Sequence, residues 1–344
     1  MVKIQDVAKD SGCSISTVSR VLNNPDIVNP ETRERVLNSV RKLGYYPNEK
    51  AKSLSSKKQS LSLGLLIPDI TTFYFGELYR GISRTAKNAN IDLLLRDLDH
   101  EGPLQERILD GMISLKKLGV SGIIISSRLI TEEYEEVINR LRIPVVLVLS
   151  EHIKSKFSSF KTDDIKASFD AISYLVSRGH KNIGMISSSP SEDKLVGEPR
   201  FRGFKNAIDF YNLTFNPGQI AYGDNIRYEG GYHAMEQLLE NRSETNISAV
   251  FAATDEMAIG AMRCIYDNNL RVPNDISIIG FDNLSISNMV TPKLTTVSQS
   301  FEEIGVESVK YLIKILEEPK AQIENGVFYM PHHIVERESV LSFV

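Results

Sequence analysis

Tryptophan is absent and cysteine occurs only twice, at Cys13 and Cys264. Two thiols cannot build a disulfide framework, and their scarcity fits a reducing compartment, so the expected location is the cytoplasm. Long apolar runs are missing too. The longest, such as "PVVLVL" at 144–149, fall far short of the roughly 20 residues of a membrane span. The opening "MVKIQDVAKD" has no apolar h-region, which predicts no secretory leader. Nor does the chain contain a GxSxG elbow, a GxxxxGK[ST] loop, an HExxH helix or a CxxC pair. No general base stands out beside Asp282 for an aldose chemistry, and the adjacent pair His332-His333 reads as a strand edge. The expectation is therefore a non-enzyme with no catalytic residue, no cofactor, no metal site and no membrane partner.

What is present is an uneven charge. Residues 1–60 carry eleven Lys or Arg against six Asp or Glu, a net of +5, while the other 284 residues carry a net of −9. A basic head on an acidic body suits a polyanion-binding module joined to a separate regulatory domain.

The head is periodic rather than a solvated tail. Ile4, Val7 and Ala8 mark one helix, Gly12-Cys13-Ser14 breaks it, and Ser14 can cap a second helix from Ile15. Asn29 and Pro30 open a third, in which Val36, Val40 and Leu43 repeat until Gly44. Val18, Val21 and Leu22 give the second helix an inward stripe, whereas Ser16, Thr17, Ser19 and Arg20 lie opposite. Ser and Thr are weak helix formers, so this face is read as chosen for contact. Three short helices with a tight turn between the first two predict a helix-turn-helix, whose second helix enters the major groove. Short side chains let its backbone approach the bases, and Arg20 can grip a guanine edge. Beyond Gly44, "YYPNEKAKSLSSKKQS" reads as a flexible linker or as a short helix capped by Asn48 that forms on DNA. Leu54 is its one large apolar residue after Tyr46, suited to wedge between base pairs.

Together, "KIQDVAKDSGCSISTVSRVLNN", "ETRERVLNSVRKLGYYPN" and "AKSLSSKKQ" resemble the N-terminal signature of the lactose-repressor (LacI/GalR) family of bacterial transcription regulators. In that family the positions of Ile15, Ser16 and Arg20 read bases, and that of Leu54 wedges the minor groove. The resemblance implies a DNA-contacting set that also includes Ser14, Thr17, Ser19, Asn23, Tyr45, Asn48 and Lys52.

From about Leu61 the pattern changes to apolar runs at 63–67, 92–96, 122–126, 144–150, 182–187, 249–254, 277–282 and 295–300, separated by amphipathic stretches. Such alternation predicts α/β architecture with parallel sheets covered on both faces, and eight runs predict two doubly wound lobes. "PDITTFYFGELYRGI", "RGHKNIGMIS", "FAATDEMAIGAM" and "VPNDISIIGFDN" continue the resemblance across nearly the whole chain. It implies a periplasmic-binding-protein-like core. The expected layout is a helix-turn-helix domain at 1–47, a hinge at 48–60 and a core at 61–344. Within the core, a first lobe spans about 61–161 and 292–323, and a second spans about 162–291 and 324–344.

Ligands of open α/β sheets collect beyond the carboxyl ends of the strands. The residues that follow the apolar runs are Thr72, Phe73 and Tyr74, the loop from Ser188 to Arg200, then Thr254 and Asp255, then Phe281 and Asp282. A carboxylate, a guanidinium and aromatic faces suit a polyhydroxyl ligand. The resemblance implies effector contacts above all at Arg200 and Asp282, with Asn225 and Gln299 in the same set. Two departures stand out: Leu149 where many sugar-binding members carry Asp, and Thr254 where they carry Asn. The serines at 187, 188, 189 and 191 either help to hold a phosphate or form an ordinary loop. The expected function is a dimeric, operator-binding repressor controlled by a small effector, a sugar or sugar phosphate. The alternatives are a catabolite-control-type regulator with a phosphoprotein corepressor and a nucleobase-responsive repressor. Arg80, Arg84 and Lys87 make the helix facing such a corepressor more basic than in that branch.

Overall fold

The computed structural model describes residues 2–45, 61–98, 103–126, 129–318 and 325–344. The chain divides into two units, Met1–Ser60 and Leu61–Val344.

In the first unit, helices α1 (Ile4–Ser11), α2 (Ile15–Asn23) and α3 (Pro30–Leu43) follow the periodicity of the sequence. Gly12 and Gly44 end α1 and α3 with φ of 64° and 62°, the left-handed geometry that glycine adopts without steric cost. Val7, Ala8, Val18, Val21 and Val36 are buried together and form the core of the unit. Lys42 of α3 reaches Asp10 of α1 at 2.7 Å, adding an exposed tie between the two helices. The expected contacts Asn48, Lys52 and Leu54 lie outside the described residues.

The second unit contains two six-stranded sheets. In the first lobe, β1 (Ser62–Ile67), β2 (Asp92–Asp97), β3 (Gly122–Ile125), β4 (Val145–Val148) and β5 (Ser159–Thr162) alternate with α4 (Phe73–Asn88), α5 (Leu104–Leu118) and α6 (Glu132–Leu141). In the second, α7 (Asp164–Ser177), β6 (Ile183–Ser187), α8 (Gly197–Phe210), β7 (Ile220–Tyr222), α9 (Tyr228–Glu240), β8 (Ala249–Ala252), α10 (Asp255–Asp267), β9 (Ser277–Asp282) and β10 (Thr295–Gln299) follow in order. Last come α11 (Phe301–Glu317), β11 (Val327–Met330) and β12 (His332–Val335). The sheet orders are β11-β5-β4-β3-β1-β2 and β12-β10-β9-β8-β6-β7. All pairs are parallel except β10 with β12.

Both faces of each sheet are covered, which is why the strands read as continuous apolar runs. On β1, Leu63, Leu65 and Ile67 pack with α4 and α11, while Leu66 packs on the other face with Ile108 and Met112 of α5. The second sheet is sandwiched likewise, with Met257, Ala258 and Ala261 on one side and Ala171, Ile172 and Phe204 on the other. Among the described residues no helix is long and apolar enough to cross a membrane.

The chain passes between lobes after Thr162, after Gln299 and at Pro331. The expected boundaries at 291 and 323 are therefore corrected. Thr295 to Ser298 pair in parallel with β9, so β10 belongs to the second sheet instead of starting the return. Val327 to Met330 then pair with β5 in the first sheet. Pro331, which has no N–H for a ladder, separates β11 from β12 at the second crossing back. As the sequence suggested, His332 and His333 lie on an edge strand, where His332 Nε2 is 2.8 Å from Asp170 Oδ2.

Candidate functional site

Two surfaces carry the expected residues, one on each unit. On the head, Ser14 caps α2: its Oγ accepts from the Thr17 N–H at 3.1 Å and lies 2.8 Å from both Ser16 Oγ and Thr17 Oγ1. Asn23 Nδ2 donates to Ser19 Oγ at 3.3 Å one turn further on. Ile15, Ser16, Arg20 and Asn23 are exposed, and Thr17 and Ser19 are half-buried beside them. Ile15 begins α2 with 47 % of its surface exposed. Tyr45 differs from the others, because it is half-buried against the core of the head.

On the second unit, a cleft of ≈ 760 Å³ opens between the lobes. Thr72, Tyr74, Arg200, Asn225, Thr254, Asp282 and Gln299 line it, so seven of the nine expected effector residues come together. Phe73 and Asp255 do not. Phe73 starts α4 with 53 % of its surface exposed and points away from the lining. Asp255 is fully buried behind it, where Oδ2 accepts from the Leu284 N–H at 2.8 Å and Oδ1 from Thr296 Oγ1 at 2.5 Å. Each sits one position from a lining residue, Phe73 before Tyr74 and Asp255 after Thr254.

Arg200 is the hub of the cleft. Its Nε donates to Asp164 Oδ1 at 2.9 Å, Nη1 lies 3.7 Å from Asp282 Oδ1 and also donates to the Ala253 carbonyl, and the guanidinium stacks 3.7 Å from the Phe281 ring centroid. Gln299 Nε2 donates to Asp282 Oδ1 at 2.7 Å. Burial pushes the Asp282 carboxyl well above its ordinary value, with Arg200 opposing and Asp255 adding to the shift. Asp282 also has a φ of 131°, backbone strain of the kind that concentrates at ligand sites. The hydroxyl of Thr254 is committed, donating to the Ile226 carbonyl at 2.8 Å and capping α10 at the Met257 N–H. Asn225 accepts from the Arg227 N–H at 2.9 Å. Tyr74 bonds Ser126 and Thr72 through its hydroxyl, and burial raises its pKa despite those bonds. Its ring lies 5.9 Å from that of Phe301.

Three further lining residues were not legible as site residues: Lys161, Asp164 and Glu256. Lys161 Nζ lies 3.3 Å from Asp164 Oδ2. Glu256 is pushed up chiefly by burial, with Arg227 opposing. At the cleft mouth Arg227 of the second lobe pairs with Asp69 of the first. The serine loop is tied down by its own carboxylate. Asp193 accepts from the Leu195 and Val196 N–H groups at 3.0 and 2.9 Å and from Ser188 Oγ at 2.7 Å, occupying donors a phosphate would need.

Residues 3–48 match the model of the bacterial regulatory proteins of the lacI family, and residues 172–340 match a periplasmic binding protein-like domain. Catabolite control protein A of Priestia megaterium is 36% identical over 338 residues, covering 98% of this chain and 99% of the relative. The chain belongs to the lacI family. Members of the family are DNA-binding transcription regulators controlled by small effectors, and the head and cleft are the two parts that activity needs. Among solved structures, the lac repressor dimer bound to operator and the anti-inducer ONPF superposes with a TM-score of 0.83 at 25% identity, covering 99% of both chains. A lacI-family regulator from Enterococcus faecium with bound ribose superposes at 0.70 and 28% identity, covering 82% of this chain and 100% of its own.

Proposed function

We propose that this lacI-family regulator is a cytoplasmic repressor that binds a palindromic operator as a homodimer, its DNA affinity set by a sugar-like effector in the cleft. The observation that carries the reading is the Arg200–Asp282–Gln299 group. It sets the guanidinium 3.7 Å and the amide 2.7 Å from the same carboxylate oxygen, beyond the carboxyl ends of the second lobe's strands. Such a group supplies both donors and acceptors to hydroxyls, and Tyr74 and Phe301 supply ring faces from the first lobe. The exposed face of α2, from Ile15 and Ser16 to Arg20, contacts base edges, with Ser14, Thr17, Ser19 and Asn23 beside it. Asn48, Lys52 and Leu54 complete the DNA set as hinge contacts, and Tyr45 supports them from the core of the head. A ligand that touches both lobes shifts regulation only through its different affinity for the two states, a coupling typically about 1–3 kcal/mol.

Fluorescence anisotropy with a labelled operator tests this. Asp282→Asn should bind operator as the wild type does and stop responding to the effector. If the variant responds at unchanged effector concentration, the cleft is not the regulatory site. A catabolite-control-type regulator with a phosphoprotein corepressor is the second reading, favoured by the 36% identity to catabolite control protein A. On the α4 face, however, Arg80 is paired with Glu77 at 3.0 Å and Arg84 with Glu302 at 2.5 Å, so two of the three basic groups a phosphoprotein would seek already have carboxylate partners.

A further inference from the structure

The effector reading leaves two buried charged residues of the cleft without a role. Lys161 is the penultimate residue of β5 in the first lobe and Asp164 opens α7 in the second, with only Thr162 and Asp163 between them at the crossing. Both side chains are 7% exposed, and both line the cleft. Lys161 Nζ stands 3.3 Å from Asp164 Oδ2 and 3.7 Å from Glu151 Oε2. Charge-assisted N–H···O bonds usually close to about 2.7–2.9 Å. Among the described residues the ammonium therefore has charge partners but no short bond, and it carries three donors. Burial works against its charge, yet Asp164 and Glu151 hold its pKa above the ordinary lysine value. Asp164 is pinned from its other oxygen by Arg200 Nε at 2.9 Å. The floor thus presents a donor and an acceptor side by side, each held in place from behind.

We propose that Lys161 and Asp164 form a subsite for the vicinal diol of an uncharged polyol, the ammonium donating to one hydroxyl and the carboxylate accepting from its neighbour. The proposal rests on the reading of the cleft as the effector site. The two oxygens of a gauche diol lie about one hydrogen-bond length apart, matching the spacing of Nζ and Oδ2. Each hydroxyl is both donor and acceptor, so one diol satisfies both ends of the pair. A phosphate oxygen only accepts. Bound to Lys161, it would face the Asp164 carboxylate at short range in a poorly solvated site, where like charges repel strongly. The neighbouring backbone donors at Leu195 and Val196, which could offset that repulsion, are taken by Asp193.

Calorimetric titration and thermal shift of the intact protein test the subsite. The probes are ribose, glucose and galactose, each beside its terminal phosphate ester and its deoxy analogues. The expected result is that a neutral sugar binds, its ester binds more weakly, and Lys161→Met weakens the neutral sugar by roughly ten- to a hundred-fold. One deoxy analogue should lose affinity to a similar degree in the wild type but bind Lys161→Met as well as the parent sugar does. A merely structural lysine would not produce that coupling. Lys161→Gln, whose uncharged amide sits on a shorter stem, serves the same comparison if the Met variant fails to fold. Unchanged sugar binding by Lys161→Met, with loss in Arg200→Lys, overturns the subsite and leaves the cleft reading standing. Unchanged binding in both variants overturns the subsite and the cleft reading together. Tighter binding of an ester than of its parent, or no binding by any neutral sugar of the panel, overturns the uncharged-polyol class.

Discussion

Asp282 is held in the cleft at a cost that depends on pH. Burial raises its folded-state pKa above the unfolded value near 3.8, so the group binds more protons in the native state. Its contribution to stability is fully present below the unfolded value and is lost as pH rises through the folded one. Asp282→Asn removes this dependence. The variant should gain melting temperature relative to the wild type as pH is raised from 4 towards neutrality, as scanning calorimetry across that range would register. A gap that narrows with pH would mean that Arg200 stabilises the carboxylate more than burial destabilises it. On the head, Arg20→Ala should cost about 1–3 kcal/mol at one operator base pair and relax specificity there. Equal losses on specific and random DNA would make Arg20 a phosphate contact instead. The residues of the cleft were legible where they follow an apolar strand, as Arg200 and Asp282 do. Lys161 and Asp164 were not, because "SFKTDD" reads as solvated polar chain. Charged side chains are rarely this buried unless paired, and a pair between two separate elements leaves no periodic mark.

At the scale of elements, the α4–α11 crossing in the first lobe depends on two glycines. A Cβ on Gly81 would lie 2.0 Å from the Glu302 carbonyl oxygen, and one on Gly305 would lie 2.5 Å from that of Leu78. Backbone, unlike a flexible side-chain tip, cannot yield cheaply. Gly81→Ala should destabilise the core by about 1–3 kcal/mol or more, readable as a lower urea midpoint. A midpoint within error of the wild type would mean that the two helices can slide apart freely. In the head, Ser14→Ala removes the cap of α2 and should cost about 1 kcal/mol, seen as a lower melting temperature. All three helices of the head were legible, with the starts of α2 and α3 and the glycine stops of α1 and α3 read directly, since caps, glycines and a 3.6-residue stripe agree there. The central strands were equally plain, being apolar on both faces. What escaped notice were β5, β7 and β11. These strands have three or four residues, and two of them lie at sheet edges, where one side meets solvent and polar residues are tolerated.

At the scale of the whole molecule, the contacts that join the lobes across the cleft include Arg227 with Asp69, and Ser285 Oγ donating to Glu77 Oε1 at 2.5 Å. Partly exposed pairs contribute little, about 0.2–1 kcal/mol. Arg227→Ala should therefore weaken effector binding only about two- to five-fold, by calorimetric titration, without changing which sugar is preferred. The three crossings between lobes have a further consequence during synthesis. A ribosome delivers the head first, and its three helices need nothing that follows. Neither sheet of the second unit receives its last strand until residues 327–335 emerge, when β11 closes the edge of one and β12, just past Pro331, closes the edge of the other. Until that moment both β5 and β10 present open edges, the kind that recruit foreign strands. A nascent chain stalled before residue 327 would carry a folded head on a body with two unfinished sheets, and it should be a client for chaperones rather than a working regulator.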